Sequence, residues 1–255
     1  MRTTILLSFL LLSTALKAQI VEVYNGSPRL GAAQQKDVEL FGKGLLDYGF
    51  EGQFQATTQA VKIHIGEPNK FYIPVYLLVG ATTGDFGKDE LNKSAILSLL
   101  NPSGGLLNLN GNGYVRLTGS ETSITSVKLT STIGAKLLTG RNSVDNSSLI
   151  KPVYFADPGV YFQTGAWDPG TGYQDGGIFW LQAKYALFGM AKKDLQEFFG
   201  SAVNDIPQGI RFEMGCFVKD RVNIKLSYFK AVSGKDIPTL NDGQFRLALD
   251  YSVFK

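Results

Sequence analysis

The chain has 255 residues, of which 44% are hydrophobic and only 18% are charged, a composition that excludes wholesale disorder. Its 25 basic and 22 acidic residues nearly balance, so the charge gives no support for a nucleic-acid partner. The single cysteine, Cys216, excludes an intrachain disulfide. No apolar run approaches the roughly 18 residues that a membrane-spanning helix needs, which excludes a helical membrane protein.

Residues 1–18 have the features of a secretory signal peptide. Arg2 supplies the positive charge, Ile5 to Leu12 forms the apolar core, and Ala18 ends a cleavage site. An uncleaved membrane anchor is the alternative, but the apolar run is too short for one. The expected organisation is a signal peptide over 1–18, an irregular lead-in over 19–36 and one β domain over 37–255.

Alternation of apolar and polar residues predicts about ten strands along the rest of the chain. In chain order they are 37–48, 50–65, 71–79, 106–118, 127–137, 150–167, 178–188, 210–218, 222–228 and 244–254. The clearest is 210–218, where Arg211 and Glu213 alternate with apolar residues. It is about nine residues long, the length that a tilted strand needs to cross a bilayer.

Two of these strands contain residues typical of turns. Gly111-Asn112-Gly113 interrupts one of them, and Asp157-Pro158-Gly159 predicts a turn within another. If both are hairpin turns, the flanking strands shrink to about five to seven residues, which suits a soluble sandwich and is too short to cross a membrane. Pro74 also lies within a predicted strand, where it removes one hydrogen-bond donor from the ladder.

The connections between the predicted strands differ in length at the two ends of the sheet. The connections at one end are 66–69, 119–121, 168–177 and 219–221, and those at the other end are 81–102, 140–148, 191–208 and 231–242. Helical spacing of apolar residues predicts short helices within two of the long connections, over 88–100 and 191–202. Short turns at one end and long loops at the other are typical of a transmembrane β-barrel.

The leader ending in Ala18-Gln19, the alternating strands and the terminal amphipathic strand ending at Phe254 resemble those of small outer-membrane β-barrel proteins, particularly of Bacteroidota. The resemblance covers most of 37–254. In that family the last strand usually ends in an aromatic residue, whereas here Lys255 follows Phe254.

The resemblance implies an all-β fold, an antiparallel up-and-down transmembrane β-barrel of about ten strands (8–12) with short helices in the long loops. It also implies passive transport or a surface structural or binding role, with outer-membrane lipids and the barrel-assembly machinery as partners. The alternative is a soluble periplasmic or secreted β-sandwich or barrel that binds a small ligand or a partner protein.

Charged residues on the polar side of the strands are the candidate functional residues. They are Lys128, Lys136, Lys184, Arg211, Glu213, Lys225, Arg246 and Asp250. In a membrane barrel these side chains point inward, away from lipid. There they either line a narrow aqueous path or form a salt-bridged plug, and the plug is favoured because about ten strands leave little open lumen. In a soluble protein the same residues form the solvated face.

No motif indicates an enzyme, a cofactor or a metal. His64 and Cys216 are the only candidates for a nucleophile pair, but no third orienting group accompanies them. Asp157, Asp168 and Asp175 are a conceivable calcium set, although a pair of Asp-Pro-Gly turns is the interpretation that the sequence favours. We therefore expect no catalytic chemistry.

Overall fold

The structure, a computed structural model, describes residues 38–40, 44–49, 54–67, 71–83, 90–118, 125–165, 178–218, 222–237, 240 and 243–251. The predicted signal peptide and lead-in lie outside the described residues, as do Asp168, Asp175 and the terminal Phe254.

Eleven strands and two helices make up the described part of the chain. The strands are β1 Val38–Leu40, β2 Gly44–Gly49, β3 Phe54–Glu67, β4 Phe71–Thr83, β5 Leu107–Thr118, β6 Ser126–Arg141, β7 Ser148–Gly165, β8 Ile178–Gly189, β9 Gln208–Val218, β10 Val222–Ser233 and β11 Gln244–Tyr251. The helices are α1 Glu90–Leu100 and α2 Lys192–Phe199. The first helix lies between β4 and β5, and the second lies between β8 and β9.

All the strands belong to one curled sheet, and every pairing is antiparallel. From β3 to β11, each strand pairs with the next one along the chain. β2 pairs with β3 on one side and with β11 on the other, and β1 extends β2 along the same edge of β3. The predicted all-β, antiparallel, up-and-down architecture is confirmed.

The turn predicted at Asp157-Pro158-Gly159 is wrong. These residues lie inside the 18-residue strand β7, and each pairs with a residue of β6. The proline, which has no N–H, is accommodated because the register between β7 and β8 passes from Ala156 to Gly159 without pairing the two residues between them. Pairing of β7 with β6 therefore outweighs the local preference of Asp157-Pro158-Gly159 for a turn.

The interruption predicted at Gly111-Asn112-Gly113 is likewise wrong. These residues lie inside the 12-residue strand β5 and pair continuously with β6. On the opposite edge, the register between β4 and β5 omits Ile73 and Pro74, so the missing donor of Pro74 falls where no ladder bond is made. Both corrected strands are long enough to cross a bilayer.

A hydrophobic cluster fills the interior at the end of the sheet where the helices lie. It combines residues of α1 and α2 with residues of the strands and connections near that end, namely Ala95, Ile96, Leu99, Leu100, Leu138, Val153, Phe155, Ala186, Phe188, Leu195, Phe198, Val203, Phe229, Ala231, Ile237 and Leu240. No helix within the described ranges is long and apolar enough to cross a bilayer.

Candidate functional site

The two faces of the sheet have the opposite polarity to those of a soluble protein. The exposed face carries large apolar side chains: Leu46, Tyr48, Ile63, Leu107, Leu109, Val115, Leu117, Leu129, Ile133, Ile150, Tyr154, Val160, Phe179, Leu181, Tyr185, Ile210, Phe212, Met214, Ile224, Leu226, Val232, Phe245, Leu247 and Leu249. The buried face carries polar and charged ones: Gln55, Thr57, Gln59, Asn108, Asn110, Ser126, Lys128, Thr130, Thr132, Lys136, Asp157, Gln163, Gln182, Lys184, Arg211, Glu213, Asn223, Ser227 and Arg246. Alternation along the strands separates the two sets, and on β3 a register shift between Gln59 and Val61 moves the alternation by one residue.

The structure brings most of the predicted charged residues together on the buried face. Lys128, Lys136, Lys184, Arg211, Glu213 and Arg246 are all buried, each with no more than 5% of its surface exposed. Lys225 is half-buried. Asp250 lies on β11 opposite Asn223, but its side chain is outside the described residues. Ions at this depth need charged or hydrogen-bonding partners, because burial of an unpaired charge costs several kcal/mol.

Arg211 of β9 is the largest of the fully buried side chains in the described part of the chain. Its guanidinium group donates a hydrogen bond to Asp157 Oδ2 of β7 and another to the backbone carbonyl of Leu100 at the end of α1. The side chains of Arg211 and Asp157 are both completely buried. Arg211 therefore links two strands and a helix that are far apart in the chain.

Lys136 of β6 binds the same end of α1. Its ammonium nitrogen lies 2.8 Å from the carbonyl oxygen of Ser98, 2.7 Å from that of Leu99 and 2.8 Å from that of Asn101. The last carbonyls of a helix have no partners within the helix and carry partial negative charge. Lys136 and Arg211 together satisfy four consecutive carbonyls there, those of residues 98–101.

A second cluster of buried polar residues, on β8 to β11, has the Glu213 carboxylate as its hydrogen-bond acceptor. It accepts hydrogen bonds from the amide of Gln182 on β8 and from the hydroxyl of Ser227 on β10 at 2.9 Å. Arg246 of β11 lies 4.0 Å from the same carboxylate. These contacts join β8, β9, β10 and β11 across the buried face.

Aromatic rings surround Lys128 of β6, whereas the buried Lys184 of β8 donates to the Thr132 hydroxyl at 3.3 Å. The Lys128 ammonium nitrogen lies 4.9 Å from the ring centroid of Tyr114 and 5.5 Å from that of Tyr161, within the range of cation–π attraction. Tyr161 stacks on Trp180 at 5.9 Å, and the indole N–H donates to Asn223 Oδ1 at 3.0 Å. The buried face therefore has an aromatic layer beside its charged layer.

Helix α2 is attached to the sheet by ion pairs that are separate from this charged network. Lys151 of β7 lies 2.7 Å from Asp194 and 2.8 Å from Glu197. The adjacent connection is tied by its own hydrogen bonds. Asp145 Oδ1 accepts from the hydroxyl and the amide of Ser147, and these bonds lower the pKa of the Asp145 carboxyl. These polar side chains of α2 and of the connection between β6 and β7 are therefore held by hydrogen bonds and ion pairs.

Sequence reasoning missed Asp157 as a partner of Arg211, because Asp-Pro-Gly was interpreted as a turn. The signal that identifies it is alternation, since Val153, Phe155 and Asp157 continue on the same face as Tyr161. The uncharged residue Gln55 was also missed; it is 1% exposed and accepts a hydrogen bond from the Asn101 amide. Its Gln- and Thr-rich strand has little hydrophobic contrast, so alternation marks the buried face there only weakly.

The other candidate chemistries lack a geometric basis in the described residues. His64 and Cys216 lie on β3 and β9, which do not pair with each other. Within the described ranges, no three His, Cys, Asp or Glu residues form a group that could hold a metal ion. Asp157, one member of the conceivable calcium set, is bound to Arg211.

The buried face can therefore cross-link strands and neutralise a helix terminus. Its described charged groups are cations and carboxylates that are held by neighbouring side chains and carbonyls. Comparison of the sequence with protein-family models gives no match, and comparison with curated proteins gives none either.

Proposed function

We propose that the protein is a β-barrel of the bacterial outer membrane, with about ten strands crossing the bilayer and β1 and β2 together making one of them. The pairings of β2 with β11 and with β3, and of β3 with β4, support a sheet that closes on itself. Closure removes the unpaired edges that a sheet cannot expose to lipid, because lipid cannot satisfy backbone hydrogen bonds.

The observation that carries this proposal is the inverted polarity of the sheet. Soluble monomers rarely expose a contiguous apolar patch larger than a few hundred Å². Here apolar side chains that are exposed by more than a third occur on nine of the eleven described strands, from Leu46 on β2 to Leu249 on β11. Charged and amide groups occupy the inside. An apolar outer face of this extent is more favourable in contact with lipid than with water.

The height of the apolar face also fits a bilayer. On β5 the outward apolar residues run from Leu107 to Leu117, ten residues along the chain. They span about 34 Å of strand at roughly 3.4 Å per residue. For the roughly 40° tilt usual in membrane barrels, this corresponds to about 26 Å along the bilayer normal, close to the apolar band of known barrels.

Burial of the interior side chains favours a plugged barrel over an open pore. The buried polar side chains of the strands are each no more than 6% exposed, and the helical end is filled by the hydrophobic cluster. We therefore propose a surface structural or binding role rather than constitutive passive transport. The eight charged residues predicted from the sequence then line the lumen, where they stabilise the plug.

The proposed route to the membrane follows from the leader. A signal peptide over 1–18 delivers the chain to the periplasm, where the barrel-assembly machinery and outer-membrane lipids are the partners. The sandwich form of the soluble alternative requires hairpin turns at Gly111-Asn112-Gly113 and Asp157-Pro158-Gly159, and both motifs lie inside strands. A sandwich also has two sheets, whereas the described strands belong to one.

Fractionation of expressing cells tests the proposal directly. We expect the mature protein in the outer-membrane fraction, extractable only with detergent. We also expect unboiled samples to run at a different position from boiled samples in SDS gels, because a closed barrel resists the detergent until it is heated. Protein found free in the periplasm or medium, with no heat-dependent shift, would refute the membrane proposal.

A further inference from the structure

The C-terminal half of α1 is enclosed on every side. Six consecutive residues, 95–100, are each no more than 5% exposed, although a helix on the surface of a sheet buries only one stripe. By helical spacing, Leu91, Ala95, Ile96 and Leu99 share one face of α1. Burial of Leu97 and Leu100 as well indicates that this half of the helix is inserted within the curl of the sheet.

Polar contacts hold the end of the helix and the turn that follows it. Lys136 binds three of the last carbonyls and Arg211 binds a fourth. Beyond the helix, the Asn108 side-chain amide donates to the carbonyls of Pro102 at 2.7 Å and Gly104 at 2.8 Å. The Asn101 amide donates to Gln55 at 3.1 Å. Groups on β3, β5, β6 and β9 therefore converge on one short segment.

Lys136 has a particular position among these groups. It is 2% exposed, and the protein oxygens that it is seen to bind all belong to residues 98–101. Its aliphatic stem and ammonium group lie against the apolar cluster, with the nitrogen 4.9 Å from the ring centroid of Phe155. The carbonyls of the helix terminus accept the hydrogen bonds of this buried ammonium group, so the lysine and the seated helix depend on each other.

We propose that α1 and the turn at 101–106 form a plug in the helical end of the barrel, and that Lys136 is the positioning residue that keeps the plug seated. Loss of the Lys136 ammonium group leaves the buried carbonyls of Ser98 and Leu99 without their donor, whereas the carbonyl of Asn101 keeps the Gly104 N–H at 2.9 Å. The terminus of α1 then moves toward water, which satisfies those carbonyls, and the helical end of the interior opens to solvent. The inference rests on the proposed barrel, but seating of α1 can be measured separately from membrane insertion.

The test measures the accessibility of Ser98 in the folded protein. Ser98 is 1% exposed, and Ser98→Cys is nearly isosteric. The native thiol is removed by Cys216→Ala, so that a polar maleimide reports only on position 98. In detergent-solubilised folded protein, we expect Lys136→Met to accelerate labelling at least tenfold, and Lys136→Arg to remain close to the parent because it keeps the charge and the donors.

Two further variants complete the experiment. Lys151→Met is the matched control, because Lys151 binds Asp194 and Glu197 of α2 and is not seen to contact α1, so labelling should not change. Asn108→Ala removes the two bonds to the turn and leaves every buried charge in place. It should also accelerate labelling, and it provides the test if Lys136→Met does not fold.

Folding of each variant is checked by its heat-dependent gel shift. A labelling rate equal to that of the parent in folded Lys136→Met, or in folded Asn108→Ala if the first does not fold, would overturn the plug. Rapid labelling of the parent itself would also overturn it. If every variant is soluble and shows no heat shift, the proposed membrane function fails, while the labelling rates still decide whether Lys136 seats the helix.

Discussion

Met214→Arg distinguishes a lipid-facing sheet from a water-facing one. Met214 is 50% exposed on the apolar face and is the seventh of the eleven residues of β9, about one residue, or roughly 3.4 Å of strand, past the centre. Methionine and arginine are both long and unbranched at Cβ, so the substitution changes charge far more than shape. In a membrane barrel, this position lies near the middle of the bilayer.

The two environments predict different losses of stability. An arginine at the lipid face near the midplane lowers the free energy of unfolding by about 2–4 kcal/mol, which is roughly a 30- to 700-fold change in the folding equilibrium. On a surface facing water, the same substitution changes it by no more than about 0.5 kcal/mol. The size of the effect therefore reports which solvent the exposed face contacts.

Urea titration of the protein folded into phospholipid vesicles measures the difference, with tryptophan fluorescence as the signal. Val144→Arg is the control, because Val144 lies in the connection between β6 and β7 and is 89% exposed. We expect Val144→Arg to match the parent within about 0.5 kcal/mol. If Met214→Arg matches the parent as closely, the exposed face does not contact lipid and the membrane argument fails.

Three further substitutions test the interior by the same titration. Arg211→Met should lower the free energy of unfolding by about 3–5 kcal/mol, because it leaves the Asp157 carboxylate buried and unpaired. Adding Asp157→Leu should recover part of that loss, and strictly additive losses would contradict the coupling between the two residues. Gly159→Ala should cost about 1–3 kcal/mol, since its Cβ would overlap a backbone carbonyl of β8, and a neutral result would mean that the two strands are not so close. Trp180→Phe should cost about 1 kcal/mol through loss of the hydrogen bond to Asn223, and no loss would show that this bond is not needed.

Period-two alternation identified most of the strands and separated their faces, although it predicted one strand over 37–48 where the structure has β1 and β2. Side chains of a strand alternate strictly, so Arg211 and Glu213 had to share a face whatever the partners of β9 were. The same reasoning identified Lys128, Lys136, Lys184 and Arg246, and it needed no knowledge of the neighbours. The helices were predictable for a similar reason, since their apolar spacing is local.

Turn motifs were a weaker guide than alternation. Asp157-Pro158-Gly159 has a strong local preference for a turn, yet the ladder with β6 keeps it extended. The residues that bind each other were not predictable either. Arg211 and Asp157 are 54 residues apart, and Arg211 and the Leu100 carbonyl are 111 apart. Each pairing depends on strand register and on the curl of the sheet.

The sequence by itself therefore determined where most of the strands lie and which side chains within a strand share a face. These properties follow from the two-residue repeat of an extended strand, so they depend only on residues that are close together in the sequence. The tertiary structure alone decided which face is buried, which carboxylate meets Arg211 and that α1 enters the interior with its terminus on Lys136. Those outcomes depend on how strands distant in the chain pack together, because only the assembled sheet encloses an interior.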